Sequence, residues 1–502
     1  MHPPHPPAET EAALAAGLRA VRPALLAPYG AALPDARAAV LSRLWRGLAH
    51  EPLPWVTHRP AGRDGLTLAL ADGRRLHGPR PDPYATGTAV PEVELDGVAY
   101  DHPAALMAAL GLPHARSFAA ELAHSVASLA LSRAGQVPSA GPRTLWEWEQ
   151  RVVDGHPFHP NCRARPGFSV AEQLAYAPEH RPVVELGTVA VREEDCRSTG
   201  AWPYREAGRL LIPVHPWQAR HVLKGEYPVA AGAAAHPLMS LRTLAVPGGT
   251  HLKTALSARL TSSVRDISVY SITSAATVSA FMESMAARLG GLLHITRTLG
   301  AVTAGTPDLA AVSRESPDLY AGTGERVVPV AALAAGVQPL SPARLAEFSR
   351  LALTVGLRLL ELGVALEAHG QNLLVVLSPA GDPVRLVYRD LADIRISPAR
   401  LARHGIPVPD LAGRIVTDDE SVLRGKLFGS LVAGALAATA GSATALREAL
   451  SAAAPDLPRT ADLTALLHEP LPAKALTLMR LSPERPGDLW AHLPNPLAGE
   501  FP

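Results

Sequence analysis

The chain has 502 residues, enough for two or three domains and a large buried core. Its 47 basic and 46 acidic side chains nearly cancel, which argues against a nucleic-acid or acidic-surface partner. Only two cysteines are present, Cys162 and Cys196, with no zinc, redox or iron–sulfur spacing, so a reduced, cytoplasmic protein is expected.

The opening MHPPHPP has no apolar segment behind basic residues, and no secretory signal is expected. Alanine-rich windows at 10–21, 35–48 and 117–134 carry apolar residues at helical spacing. Residues 1–150 should therefore be mostly helical. Short alternating runs at 66–70 and 92–95, separated by proline-rich loops, predict a small sheet within that region. From 151 to 343 strand-like runs at 183–186, 210–214, 241–246 and 252–256 alternate with loops, and a helix is expected over 276–289. In the remaining segment, 344–502, Leu345, Phe348, Ala352, Val355, Leu359 and Leu362 fall on one helical face, with Arg350, Arg358 and Glu361 on the other. The uncharged stretch 427–446 is rich in Ala, Gly, Ser and Thr and too weakly apolar for a membrane span, so a close-packed internal helix is expected and no membrane partner.

Four clusters carry chemistry. In GHPFHPNCRARPGF (155–168) the prolines forbid regular helix, so His156, His159, Arg163 and Arg165 project from an extended loop. They suit a carboxylate or phosphate; equally, the histidines could simply hydrogen-bond the loop backbone. In VHPWQ (214–218), His215, Trp217 and Gln218 are read as core closers rather than pocket residues.

The third cluster reads as a hairpin with a four-residue loop, Pro247 to Thr250. Pairing Val246 with His251 places Leu244 opposite Lys253 and sets Ser240, Arg242 and Lys253 on one face. Two cations and a hydroxyl so placed call for an anion, triphosphate foremost; solvated strand charge is the competing reading. Thr261, Ser262, Ser263 and Arg265 follow closely.

The fourth cluster is EAHGQN (367–372) and the hairpin behind it. Pairing Leu377 with Val384 brings Asn372 opposite Arg389 and beside Asp390. With Glu367, these residues form the oxygen set that suits Mg²⁺. The chain has no Walker loop, no GxGxxG after a strand and no GxSxG elbow.

In this order the motifs GHPFHPNCRARPGF, VHPWQ, SLRT…HLK…TSSVR, EAHGQN…RD and a late PAKALTLMRL resemble the IucA/IucC family of NRPS-independent siderophore (NIS) synthetases over roughly 150–482. The resemblance implies an α+β fold shaped as a cupped hand: a helical thumb (1–150), mixed α/β fingers (151–343) and a palm (344–502). It implies ATP and Mg²⁺, adenylation of a citrate- or succinate-type carboxylate, and condensation with an amine or alcohol. The implied partners are those small molecules and a second copy of the chain. By the same resemblance His156, His159, Arg163, Ser240, Arg242, Thr243, Lys253, Thr261 and Ser262 hold ATP. Arg265, His369, Gln371 and Lys474 hold the acid; Arg265, His369 and Lys253 are catalytic; Glu367, Asn372 and Asp390 bind the metal. The family usually has Lys at Arg163 and Thr at Asp266. A small-molecule kinase, a non-catalytic siderophore binder and a ferric reductase are the alternatives. The lack of a cysteine cluster opposes the last, and the lack of an Asp placed as base within EAHGQN opposes the first.

Overall fold

The computed structural model describes residues 7–136, 141–261, 263–485 and 487–498. The amino-terminal part packs the helices Pro7–Val21, Leu26–His50, Pro103–Leu110 and Ala115–Ala134 around a core of Leu18, Leu41, Leu44, Trp45, Phe118 and Leu122. Short strands between Val56 and Tyr100 form a small antiparallel sheet against them, which is the predicted insertion.

Among the described residues the largest sheet has nine strands, all paired antiparallel. Its centre is Val229–Pro237, Thr243–Val246, Thr250–Thr254 and Ala310–Glu315. Leu256–Leu260 and Ser263–Arg265 leave this sheet as a separate two-stranded ribbon, so the strand expected at 252–256 is split in two.

A four-stranded mixed sheet follows: Leu293–Ile295, Pro383–Tyr388, Leu373–Leu377 and Arg326–Pro329, with the first pair parallel. Helix Pro342–Leu362 packs on it and buries Leu345, Phe348, Ala352, Val355 and Leu359, while Arg350 and Arg358 are exposed. Ser341 Oγ caps its first turn by accepting from Arg344 N, and Gly363 at φ 107° ends it. Each fully buried Leu or Phe contributes about 1.5–3 kcal/mol by leaving water, so this stripe alone fixes the helix on the sheet that carries the fourth cluster.

The uncharged stretch is internal. Helix Glu420–Ser430 continues as a wide turn Leu431–Leu436 and as Ala437–Ala440, with Leu427, Leu431, Val432 and Leu436 in the same core. Gly441, at φ 76°, stops it, and Ser442 caps a new helix, Ala443–Ala453. The expectation of one helix through 446 is corrected to two.

Candidate functional site

The fourth cluster folds as its register required. Leu373 pairs with Tyr388 and Val376 with Arg385, and Arg389 N donates to Asn372 O at 3.1 Å. A bulge next to the turn shifts only the last pair, to Leu377 and Pro383. Arg389 is buried and donates from Nε and Nη2 to Gln371 O at 3.0 and 2.8 Å. Its Nη1 lies 2.6 Å from Glu149 Oε1, a carboxylate wholly shielded from water. Arg389 thus ties the EAHGQN loop to its own hairpin through Gln371 O, and its buried ion pair ties both to the helix Leu145–Glu149. Asp390 takes φ 67°, a left-handed conformation uncommon outside glycine, Asn and Asp.

The third cluster differs from expectation by one residue. Val246 pairs with Thr250, and Thr243, not Leu244, lies opposite Lys253. The loop has three residues, Pro247 to Gly249, because Gly248 and Gly249 both adopt positive φ, 93° and 79°. Ser240 and Arg242 are not on the strand. They sit in a tight turn, with Leu241 at φ 63°, in which Ser240 Oγ accepts from Thr243 N at 3.2 Å. The turn returns the Arg242 guanidinium toward Lys253 and Asp390, both of which feel its charge.

The two hairpins meet at an ion pair. Lys253 Nζ donates to both Asp390 oxygens, at 2.7 and 2.8 Å. Enclosure would raise the Asp390 pKa, but Lys253, Arg314 and Arg242 hold it well below the usual carboxylate range. Burial pushes Lys253 down to about 8 although Asp390 opposes that, because Arg242 and Arg314 add repulsion. Arg314 lines the same cavity as Ser240, Thr243, Gln371, Asn372 and Asp390, is 6% exposed, and its Nε has no hydrogen-bond partner. A desolvated guanidinium with a free Nε–H beside Lys253 and Arg242 is an anion-binding feature. It was missed in the sequence because a single Arg within a strand carries no local pattern.

Glu367 is also engaged: Lys474 Nζ and Lys426 Nζ lie 2.9 and 3.1 Å from its Oε1. Burial would raise its pKa, but Lys474, His369 and Lys426 pull it far down. Lys426 and its second partner Asp488 were not anticipated. The chain has only four lysines among its 47 cationic side chains, and three of them, Lys253, Lys426 and Lys474, make these contacts.

Around Glu367 the site is cationic. His369 Nδ1 accepts from Gln371 N at 3.2 Å, which leaves Nε2 to carry the proton of the neutral ring. Burial, Lys474 and Arg265 depress its pKa, against Glu367 and Asp390. His156 Nδ1 accepts from the backbone N–H groups of Phe158 and His159, and His159 Nδ1 from Asn161 N. The loop-backbone reading of the histidines therefore holds for one ring nitrogen of each. His159 Nε2 is buried without a partner. Burial is the main cause of the low pKa of both rings; His369 and Lys474 act further on His156, and Arg265 and Lys474 on His159. This places the HPFHP histidines beside the His369 end of the cleft.

Arg265 enters from the ribbon and donates to Leu260 O at 3.3 Å. Arg242 donates to the carbonyls of Arg265 and Asp266, so one guanidinium latches the ribbon to the Lys253 side of the cleft. Thr261 is at the ribbon tip at φ 57°, strained for a β-branched residue. Ser262 lies outside the described residues.

Arg163 is a correction. Its Nε and Nη2 donate to Val153 O and Val152 O, and Nη1 is 3.7 Å from Glu179, which Arg165 also pairs at 2.7 Å. The guanidinium is engaged by two backbone carbonyls and the buried Glu179 carboxylate instead of being held open for a phosphate. His215 is fully buried, with Nδ1 accepting from Trp217 N, and Gln218 bonds Ser257 and Asp308 O, which agrees with the core-closing reading. Among the described residues no group of three His, Cys, Asp or Glu has metal-ligand geometry. Glu367, Asn372 and Asp390 nevertheless fit Mg²⁺ as a donor set, two carboxylates and an amide oxygen, provided their lysine partners yield.

Comparison with known proteins follows this geometry. Residues 144–335 match the IucA/IucC family, and residues 345–489 match a family described as ferric iron reductase FhuF-like transporter. A citryl-spermidine/3,4-dihydroxybenzoyl-citryl-spermidine:spermidine ligase of Bacillus anthracis is 26% identical over 309 residues, 49% of this chain and 50% of that protein. The rhizobactin siderophore biosynthesis protein RhbC of Rhizobium meliloti is 30% identical over 152 residues, 23% of this chain and 26% of that protein. The matched stretch thus spans half the length or less of these curated relatives. Solved structures are similar over nearly the whole chain. The petrobactin biosynthesis protein AsbB of Bacillus anthracis has TM-score 0.78 at 18% identity, covering 94% of this chain and 98% of its own. ATP-bound aerobactin synthetase IucA of Klebsiella pneumoniae has TM-score 0.68 at 19% identity, covering 93% and 99%. These likenesses show the fold, the α+β architecture of the NIS synthetases. The stretch that supplies His156, Ser240, Lys253 and Arg265 is thus similar to the IucA/IucC family, and the fold around the cleft is shared with the solved synthetases.

Proposed function

We propose that this chain is a ligase that activates a carboxylate of a citrate-type acid with ATP and joins it to an amine, releasing AMP and pyrophosphate. The observation that carries the reading is the Lys253–Asp390 contact, which brings a cation-rich hairpin and an oxygen-donor hairpin into one cleft. On one side stand Arg242, Arg314, Ser240 and Thr243, suited to a polyphosphate; on the other stand Arg265, His369, Gln371 and Lys474, suited to a carboxylate.

An acid oxygen attacks the α-phosphorus, the bond to pyrophosphate breaks, and an acyl-adenylate forms; the amine then attacks the acyl carbon, AMP leaves with the bonding pair, and the amine loses a proton. The first step brings two anions together, so its barrier is mainly electrostatic. Lys253, Arg242 and Arg314 neutralise the phosphates. Arg265 and Lys474 grip the acid, and the His369 Nε2–H can donate to its attacking or neighbouring oxygen. Glu367, Asn372 and Asp390 would hold Mg²⁺, which supplies charge neutralisation and orientation of the phosphates. No side chain need act as a covalent nucleophile; the work is positioning. The amine substrate is the reading suggested by the spermidine named in the Bacillus anthracis ligase.

The test is pyrophosphate release from ATP with a panel of acids and polyamines, with hydroxylamine added to trap an acyl-adenylate. Acid-dependent pyrophosphate and a hydroxamate support the ligase. ADP as product would instead establish a kinase, and no binding of ATP–Mg²⁺ a non-catalytic relative.

A further inference from the structure

Four charged side chains close a ring at the His369 end of the cleft. Lys474 Nζ lies 2.9 Å from Glu367 Oε1 and 3.2 Å from Asp488 Oδ1; Lys426 Nζ lies 3.1 Å from the same Glu367 oxygen and 3.4 Å from Asp488 Oδ2. Its corners differ in access: the Lys426 side chain is 2% exposed and that of Lys474 31%. Lys474 and Asp488, 31% and 26% exposed, form the open side, and the Lys474 charge reaches His369 and His156. Lys426 is sealed behind it.

The packing that sets this ring is specific. Lys474 and Trp490 are register partners in the ribbon Leu471–Lys474/Trp490–Leu493. Trp490 lies flat on the helix that bears Lys426, where a Cβ at Gly429 would stand 2.5 Å from its Cζ3. Helix and ribbon can approach this closely only because position 429 has no side chain.

Resting on the ligase reading above, we propose that Asp488, backed by Lys426, is a positioning residue that holds the Lys474 ammonium at the acid-binding end of the cleft when Glu367 turns to a divalent cation. Glu367 cannot serve two ammoniums and a dication at full strength. If it were their only partner, its departure would leave two adjacent cations uncompensated, one of them buried. Asp488 bonds both lysines at once, so the triad Lys426–Asp488–Lys474 keeps its geometry with a net charge of one. That charge is offered at the open side, where an anionic substrate can meet it.

The test is calorimetric titration of citrate, as probe acid, into the full chain loaded with Mg²⁺ and a non-hydrolysable ATP analogue. Asp488→Asn should weaken citrate binding about tenfold, the usual cost of losing a supporting contact, and Asp488→Glu should recover most of it. In a Lys474→Met background Asp488→Asn should add nothing further, whereas a merely structural role would lower affinity in both backgrounds. With only four lysines, selective ¹³C labelling follows the Lys474 side chain directly, and in folded Asp488→Asn its ε-carbon signal should move toward that of a mobile lysine. Unchanged citrate affinity, or an additive loss in the Lys474→Met background, overturns the positioning role while leaving the ligase intact. A wild type that binds the analogue and citrate not at all overturns the ligase reading and this proposal together.

Discussion

Lys253 and Asp390 are 137 residues apart in the chain, yet the ammonium of one bonds both oxygens of the other. Each is also a group the proposed reaction needs for something else: Lys253 for phosphate, Asp390 for a metal. Asp390→Asn and Lys253→Met are each expected to cut pyrophosphate release by about 10²–10³, the typical loss of one preorganised electrostatic group. The double variant should lose far less than the product of the two, because they act as a unit. Lys253→Arg should fold and not restore turnover, since a planar fork replaces a compact point charge. Single-turnover assays of the four variants decide this.

Arg314→Met separates binding from stability. Its guanidinium is buried with an unpartnered Nε, and burial pushes its pKa down to about 10. Removing it should change the melting temperature little, because the cost of burying the guanidinium and its attraction to Asp390 oppose each other. Affinity for an ATP analogue should fall by about tenfold or more, the value of a charge-assisted phosphate contact. A lower melting temperature with unchanged nucleotide affinity would show a structural residue.

For Arg163→Met the expectation is reversed. The substitution strips Val152 O and Val153 O of their donor and leaves Glu179 with Arg165 as its main cation. Loss of about 3 kcal/mol is expected in urea unfolding, with nucleotide affinity of the folded protein within about twofold of wild type.

Acid should unfold the protein partly through His215. Burial pushes this ring down to about 3, from an ordinary 6.5. A base whose folded pKa is depressed binds fewer protons when folded, so its share of stability is whole above pH 6.5 and falls as pH drops toward 3. At pH 5 that share is about 2 kcal/mol lower. His215→Asn keeps an acceptor for Trp217 N and should flatten the stability–pH slope by about one proton in this window. Equal slopes in the two proteins would contradict the assignment.

What could be read from residues alone depended on range. The helix Pro342–Leu362 was legible because periodicity, a Ser cap and a terminal Gly agree locally. The Leu373–Tyr388 pairing followed from two apolar strands whose register admits little slippage. The hairpin at 243–254 slipped by one because a loop of two consecutive glycines closes equally well with three residues or four, and φ at Gly248 and Gly249 decides it. Arg242 nonetheless reaches the cleft, through a turn that alternation along a strand could not foresee. Lys426, Asp488, Glu149 and Arg314 were invisible for another reason. Each is a single charge on an element remote in sequence from its partner, and their meaning arises only when the sheets pack.

The pairing of the cleft's lysines with its own carboxylates governs what can enter. A site with three bare ammoniums would collect whichever small anion is most abundant, sulfate or free phosphate among them. Here such an ion must detach Lys253 from Asp390 and leave that carboxylate stranded, which a simple anion cannot offset. A polyphosphate that arrives with its own dication satisfies both members of the pair at once. On the proposed function, selectivity for the complexed nucleotide over its loose components would follow from these pairs, set before any ligand is touched.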